Sequence, residues 1–184
     1  QQSRHSDELQ DLMQGSYLGP AYSDSEIQAL LQAEQAPYQY LSEPQLYPEV
    51  ARLLAAGKVV GWFQGRMEFG PRALGNRSIL GDARSPVMQS ILNLKIKQRE
   101  SFRPFAPAVL AEDLQQYFQL NCPSPYMLLV AKLAAELQLE VAPGLSGLAR
   151  LAQQRSSLPA ITHIDYSARV QTVSADTNLR FYQL

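Results

Sequence analysis

The stretch KVVGWFQGRMEFGPRALGNRSIL, residues 58–80, sets the frame for the rest of the chain. Its apolar run, Val59-Val60-Gly61-Trp62-Phe63, is too short for an independent helix and is bounded by turn residues. That pattern predicts a buried strand over 58–64, with 78–80 returning as a second strand. Between them lies a loop holding Gly65, Gly70 and Gly75, Pro71, and the arginines Arg66, Arg72 and Arg77. Glycines let a backbone turn and approach a ligand closely, and Pro71 fixes φ just ahead of Arg72. A guanidinium offers a planar fork of donors matched to carboxylate or phosphate, with a charge that it does not lose. Two readings follow: an anion-binding loop, or a charged turn in which Glu68 pairs with one arginine. The loop lacks the Gly-Lys-Ser/Thr of a P-loop, and its glycine spacing is not that of a dinucleotide fingerprint.

Moving outward, the charge is uneven. From Gly57 to Val109 there are nine Lys and Arg residues but three Asp and Glu, although the whole chain has a net charge of −1. A basic segment in an otherwise acidic chain suggests a local anion site, or a solvated basic face, rather than general attraction to nucleic acid or a membrane. At 184 residues, 46% apolar and 18% charged, the composition is that of a globular domain able to bury a core. A lone cysteine, Cys122, excludes an intrachain disulfide framework. No apolar run approaches the ~20 residues needed to cross a bilayer, and the polar opening residues give no secretory h-region. A cytoplasmic setting is the expectation.

Along the chain, 1–22 reads as a lead-in with turns at Gly15 and Gly19-Pro20, and 23–184 as the domain. Ser23 and Glu26 form a capping box ahead of Ile27, Leu30 and Leu31. Pro48 is expected at the first position of a second helix, which Gly57 ends. Ser85-Pro86 opens a helix to about Lys97. Strands are expected over 105–111, 126–133, 159–165 and 169–173, and a short helix over 112–119. A final helix is capped by Asp176 or Thr177. Alternating helices and strands give an α/β class.

Two further clusters bear chemistry. In NLKIKQRESFRPFAP, 93–107, the helix dipole accounts for Lys95 and Lys97. It accounts less well for Arg103, set between Phe102 and Pro104 and read as fixed by apolar neighbours. Lysine as a point charge beside arginine as a fork suits a polyphosphate. In THIDYSARVQTV, 162–173, His163 and Asp165 flank Ile164 on the predicted strand, and Arg169 follows. His163 is either a satisfied, half-buried side chain or one that positions substrate. With His5 in the lead-in and Cys122 elsewhere, a structural zinc site is not indicated.

These three stretches, in this order, resemble the C-terminal domain of bacterial O-carbamoyltransferases, the nodulation-factor and tobramycin or cephamycin enzymes. SYLGPAYSDSEI, 16–27, resembles the entry to that domain. The resemblance implies a YrdC/Sua5-like twisted mixed sheet packed by helices, α/β (α+β) in class, following an N-terminal Kae1-like domain. Residues 1–22 would be the lead-in from that domain. It implies formation of carbamoyl-adenylate from ATP and carbamoyl phosphate, with Mg²⁺ accompanying the nucleotide and no covalently bound cofactor. The Kae1-like domain would then pass the carbamoyl group to a hydroxyl. Lys97-Gln98-Arg99 followed by Pro104 fits the K-x-R-x4-P pattern of YrdC-like proteins. Carried over by motif, Arg72, Lys97 and Arg103 would bind carbamoyl phosphate and the nucleotide phosphates. Lys97 and Arg103 would be catalytic, Arg169 and Arg99 further contacts, and Glu68, Gly70 and His163 supporting. Arg66 and Arg77 are left to structural roles. The family has an Asn-Thr-Ser-Phe-Asn segment after its last helix, which is not found here, so an incomplete domain truncated at its C-terminus is expected.

Three function classes stand: a carbamoyltransferase domain; an RNA-binding or threonylcarbamoyl-adenylate-type domain; and a structural fragment inactive on its own. The acidic balance outside 57–109 disfavours RNA.

Overall fold

A computed structural model describes residues 11–142, 144 and 146–184. The predicted capping box starts helix α1, Asp24–Ala33: the Ser23 hydroxyl accepts from the Glu26 N–H and the Glu26 carboxylate accepts from the Ser23 N–H. This helix buries none of its side chains. Helix α2 runs Glu43–Ala55, so Pro48 lies inside it and not at its start. The start is set by Ser42, whose N–H and hydroxyl both donate to Gln45 Oε1, with Pro44 in the first turn where a missing N–H costs nothing. Gly57, at φ +76°, ends the helix as predicted.

The hairpin read from 58–80 is present. Strand β1, Val60–Phe63, pairs antiparallel with β2, Arg77–Leu80, placing Trp62 inward opposite Ser78 and Phe63 outward opposite Arg77. After β2 the chain makes a close turn: a Cβ on Gly81 would sit 2.8 Å from Met88 Sδ. Helix α3, Met88–Ile91, starts three residues later than Ser85 and passes into a π turn, Leu92–Ile96, closed by the Lys97 N–H on Leu92 O.

Two other ladders complete the strand structure of the described residues. β3, Ala108–Leu110, pairs parallel with β6, Gln171–Val173, and β4, Val130–Lys132, pairs antiparallel with β5, Ser167–Arg169. The described residues therefore form a mixed α/β domain with three two-stranded ladders rather than one extended sheet. Strands 105–111 and 126–133 contract to three residues each. Met127 at φ +53° turns the backbone before β4. Helix α4, Leu114–Tyr117, and helix α5, Gly147–Ala152, are short. The core gathers Met88 and Leu92 from α3 and its π turn, Phe118, Leu133, and Val170. Each such side chain contributes about 1.5–3 kcal/mol by burial.

The strand expected at 159–165 is not formed. Pro159–Ile161 is a single 3-10 turn, fixed by the Thr162 hydroxyl donating to Leu158 O. Asp165 then folds the chain by accepting from the Ser167 N–H and hydroxyl. Ala160 and Ile161 are buried as expected, but Ile164 is 47% exposed and His163 is exposed. Helix α6, Leu179–Gln183, is capped by Asn178 and not by Asp176 or Thr177; its Oδ1 accepts from the Phe181 N–H. No described helix is long and apolar enough to cross a membrane.

Candidate functional site

The loop between β1 and β2 is built around Glu68. Its carboxylate is buried, and Oε1 accepts from the N–H groups of Leu74 (2.6 Å), Asn76 (2.7 Å) and Arg77 (3.2 Å). The expectation that Glu68 pairs with an arginine is thus corrected. Three converging backbone donors already occupy the carboxylate, and charge-assisted bonds of this kind are the stronger ones. On the other side, Leu74 O accepts from Tyr17 Oη (2.9 Å) and Gln171 Nε2 (2.8 Å). Asn76 Nδ2 donates to Arg66 O (2.7 Å). Residues 74–77 are therefore held from both faces. Gly75, at φ +107°, is obligatory: a Cβ there would lie 2.3 Å from the Phe181 ring.

The three loop arginines differ. Arg77 donates to the carbonyls of Gln64, Asn76, Pro20 and Gly65, and its guanidinium carbon sits 3.5 Å from the centroid of the Phe63 ring. Arg66 donates to Gly19 O. Both tie the loop to the segment that enters the domain. Arg72 has no ion pair among the described residues, and its Nε is buried without a hydrogen-bond partner. An unsatisfied buried donor on a cation is costly unless something fills it. Gly70, at φ +138°, supplies the unusual backbone just before Pro71 and Arg72.

The second basic loop follows the π turn, and its hub is Asn93, which is fully buried. Asn93 Nδ2 donates to Ser101 O (3.1 Å) and Arg103 O (2.7 Å), while Oδ1 accepts from Arg99 Nε (2.7 Å). Arg99 is also set 5.1 Å from the centroid of the Phe105 ring. Arg103 is not gripped by apolar neighbours: Phe102 is half exposed, and Arg103 pairs with Glu100 at 3.0 Å, both side chains more than half exposed. Such a surface pair contributes about 0–1 kcal/mol and exchanges readily for a ligand anion. Lys97 is exposed and has no ion pair among the described residues.

Asn93 thus brings Arg99 and Arg103 to one loop. Among the described residues no hydrogen bond or ion pair joins that loop to the Arg72 loop. Arg169 is exposed at the end of β5, paired with Val130, and His163 is exposed in the preceding turn. His5 lies outside the described residues. A cavity of about 450 Å³ is lined by Tyr17, Tyr126, Thr172, Ser174 and Asn178 among others, and by none of the candidate cations. Among the described residues there is no cluster of three or more His, Cys, Asp or Glu able to hold a metal ion.

The residues missed in the sequence are four buried amides, Gln64, Asn76, Asn93 and Gln171, and the half-buried Asn178. A signal exists for three of them. Gln64 directly follows the apolar run of β1, Asn93 interrupts the apolar run Ile91-Leu92-Asn93-Leu94, and Gln171 sits between Val170 and Val173. A polar residue placed where the pattern faces inward must find partners.

Residues 51–184 match the family described as Carbamoyltransferase C-terminus. The chain belongs to this family. The matched range contains both arginine loops, while Tyr17, which hydrogen-bonds to Leu74 O, precedes it. The chain is similar to an uncharacterized protein of Synechocystis sp., 59% identical over 95% of this chain and 29% of the relative. It is 40% identical to the nodulation protein NolNO of Sinorhizobium fredii, over 73% of this chain and 18% of that protein. It is also 40% identical to the 3'-hydroxymethylcephem-O-carbamoyltransferase of Amycolatopsis lactamdurans, over 80% of this chain and 25% of that enzyme. The chain spans less than a third of the length of these relatives.

Proposed function

We propose that this domain binds ATP and carbamoyl phosphate and forms carbamoyl-adenylate, for O-carbamoylation of a small-molecule hydroxyl by the whole enzyme. The observation that carries this reading is Arg72: a cation with a buried, unpartnered Nε, on a loop whose backbone is already locked by Glu68. Arg103 and Lys97, exposed on the second basic loop, supply further charge, with Arg99 and Arg169 as additional contacts. The fold family in this reading is YrdC-like, and the acceptor site lies in a Kae1-like domain of the whole protein.

The chemistry needs such cations. Carbamoyl phosphate is hydrolysed by water to carbamate and phosphate; a carbamate oxygen then attacks the α-phosphorus of ATP, and pyrophosphate leaves. Two unit negative charges ~4 Å apart repel by about 4 kcal/mol at an effective dielectric of about 20. Fixed guanidinium groups offset that repulsion and stabilise the charge that develops at phosphorus. Arg72, preorganised by its loop, orients a phosphoryl oxygen; Lys97 and Arg103 hold the leaving phosphates. Mg²⁺ arrives with the nucleotide and needs no all-protein cage.

The test is titration of carbamoyl phosphate and ATP into wild type, Arg72→Ala, Lys97→Ala and Arg103→Ala. Affinity falls at least about tenfold in each variant, the equivalent of one lost charge-assisted contact of about 1.4 kcal/mol. Wild-type binding by all three variants overturns the site assignment. RNA binding with a steep salt dependence, and no response to carbamoyl phosphate, would replace this reading by a nucleic-acid one.

A further inference from the structure

We infer that Asn178 is a positioning residue: it couples the C-terminal helix to the Arg72 loop and sets where that arginine points. This rests on the reading of Arg72 as the anion contact. All four hydrogen-bonding positions of the Asn178 amide are in use. Oδ1 accepts from the Phe181 N–H (3.1 Å), capping α6, and from Gln64 Nε2 (3.0 Å). Nδ2 donates to Tyr17 Oη (2.9 Å) and to Asn76 Oδ1 (2.8 Å). Tyr17 passes the link on to Leu74 O, and Gln64 Nε2 also donates to Asn76 Oδ1 (2.9 Å) and Gly75 O (3.0 Å). The amide therefore sits between two pieces of chain about a hundred residues apart, touching the 74–76 segment that begins two residues after Arg72. Phe181, on the same helix, closes against Gly75.

The two halves of the amide do different jobs. The oxygen caps the helix, a role that Asp or Ser can take over. The nitrogen is the part that reaches the loop, and neither substitute can donate twice at that distance. In Asn178→Asp a carboxylate oxygen faces Asn76 Oδ1, acceptor against acceptor, while the cap on α6 is retained. The loop would lose its fixed relation to the helix, and Arg72 its preorganisation, without loss of the domain.

The experiment compares Asn178→Asp, Asn178→Ser and Tyr17→Phe with wild type and Arg72→Ala, in the full chain, with folding followed by circular dichroism. Carbamoyl phosphate affinity is measured by titration, and the Arg72 Nε–Hε resonance is followed by NMR in the absence of ligand. Both Asn178 variants are expected to stay folded, to broaden or shift the Arg72 Nε–Hε signal, and to lose about tenfold in affinity, one to two hydrogen bonds' worth. Tyr17→Phe, which removes the relay to Leu74 O and one of the two bonds made by Asn178 Nδ2 but leaves its bond to Asn76 Oδ1, produces a smaller change of the same kind. If the folded Asn178 variants leave the Arg72 resonance and the affinity unchanged while Arg72→Ala abolishes binding, Asn178 is a cap and nothing more. If Arg72→Ala itself binds as wild type, it is the reading of Arg72 that fails; the ligand-free resonance still reports whether Asn178 positions it.

Discussion

Replacing Glu68 is the most direct test of how the arginine loop is held. In Glu68→Gln the shape is kept and a neutral oxygen replaces the carboxylate. Three N–H donors converge on Oε1, two at 2.6 and 2.7 Å and one at 3.2 Å. Hydrogen bonds to a charged group contribute about 1.5–3 kcal/mol, against about 0.5–1.5 kcal/mol for neutral pairs. Losing the charge therefore costs about 1 kcal/mol at each short bond and less at the long one, or about 2–3 kcal/mol in all. For a chain of this size that is a fall in Tm of roughly 5–10 °C. Glu68→Ala removes the acceptor as well and leaves buried donors unpaired. A cost of about 4–6 kcal/mol follows, comparable with the lower range of whole-domain stability, about 5–15 kcal/mol. Urea denaturation at neutral pH measures both, with Arg77→Ala as the comparison for loss of a carbonyl-binding side chain. If Glu68→Gln lies within about 0.5 kcal/mol of wild type, the carboxylate charge is not what holds residues 74–77.

Other consequences follow from the same geometry. Gly75→Ala combines a positive φ with a Cβ driven against the Phe181 ring, and loses more than about 2 kcal/mol in the same denaturation assay. Shortening the neighbour, in Gly75→Ala/Phe181→Leu, recovers only the steric part. Asn93→Ala breaks three hydrogen bonds made by a buried side chain, lowering stability by about 2–4 kcal/mol and speeding amide hydrogen exchange across Ser101–Arg103. Tyr126 is hydrogen-bonded to Asp11; burial first, then that carboxylate, pushes its hydroxyl up to about 12. Ultraviolet titration should therefore find one tyrosine ionising near that value, and Asp11→Asn should bring it back toward 10. Because the folded value is the higher one, the associated stability is complete below pH 10 and is lost as pH rises from about 10 to about 12.

What the sequence discloses here follows the range over which each determinant acts. The Ser23 cap and the Gly57 helix end are decided by neighbours within a few residues, and the β1–β2 hairpin by two successive strands joined by one loop; all three are readable in order along the chain. The β3–β6 and β4–β5 ladders join residues about forty to sixty apart, and nothing local to Ala108 names Gln171 as its partner. The run at 159–165 misleads for a related reason. Ala160 and Ile161 are buried, but Thr162 and Asp165 spend their local hydrogen-bonding capacity on turns and leave Ile164 half exposed, which a count of apolar residues does not register. The arginine loop shows the same limit at the level of the site. Composition makes Arg66, Arg72 and Arg77 equivalent. The motif singles out Arg72, and the fold separates the three physically: carbonyls of Gly19, Pro20, Gln64 and Gly65 and the Phe63 ring occupy Arg66 and Arg77, leaving Arg72 with a buried Nε and no partner among the described residues. An unpartnered cation is thus marked less by its own sequence context than by what the rest of the fold declines to give it. For that reason Gln64, Asn76 and Asn178, whose amides fix residues 74–76 beside it, are the residues whose substitution should change Arg72 most.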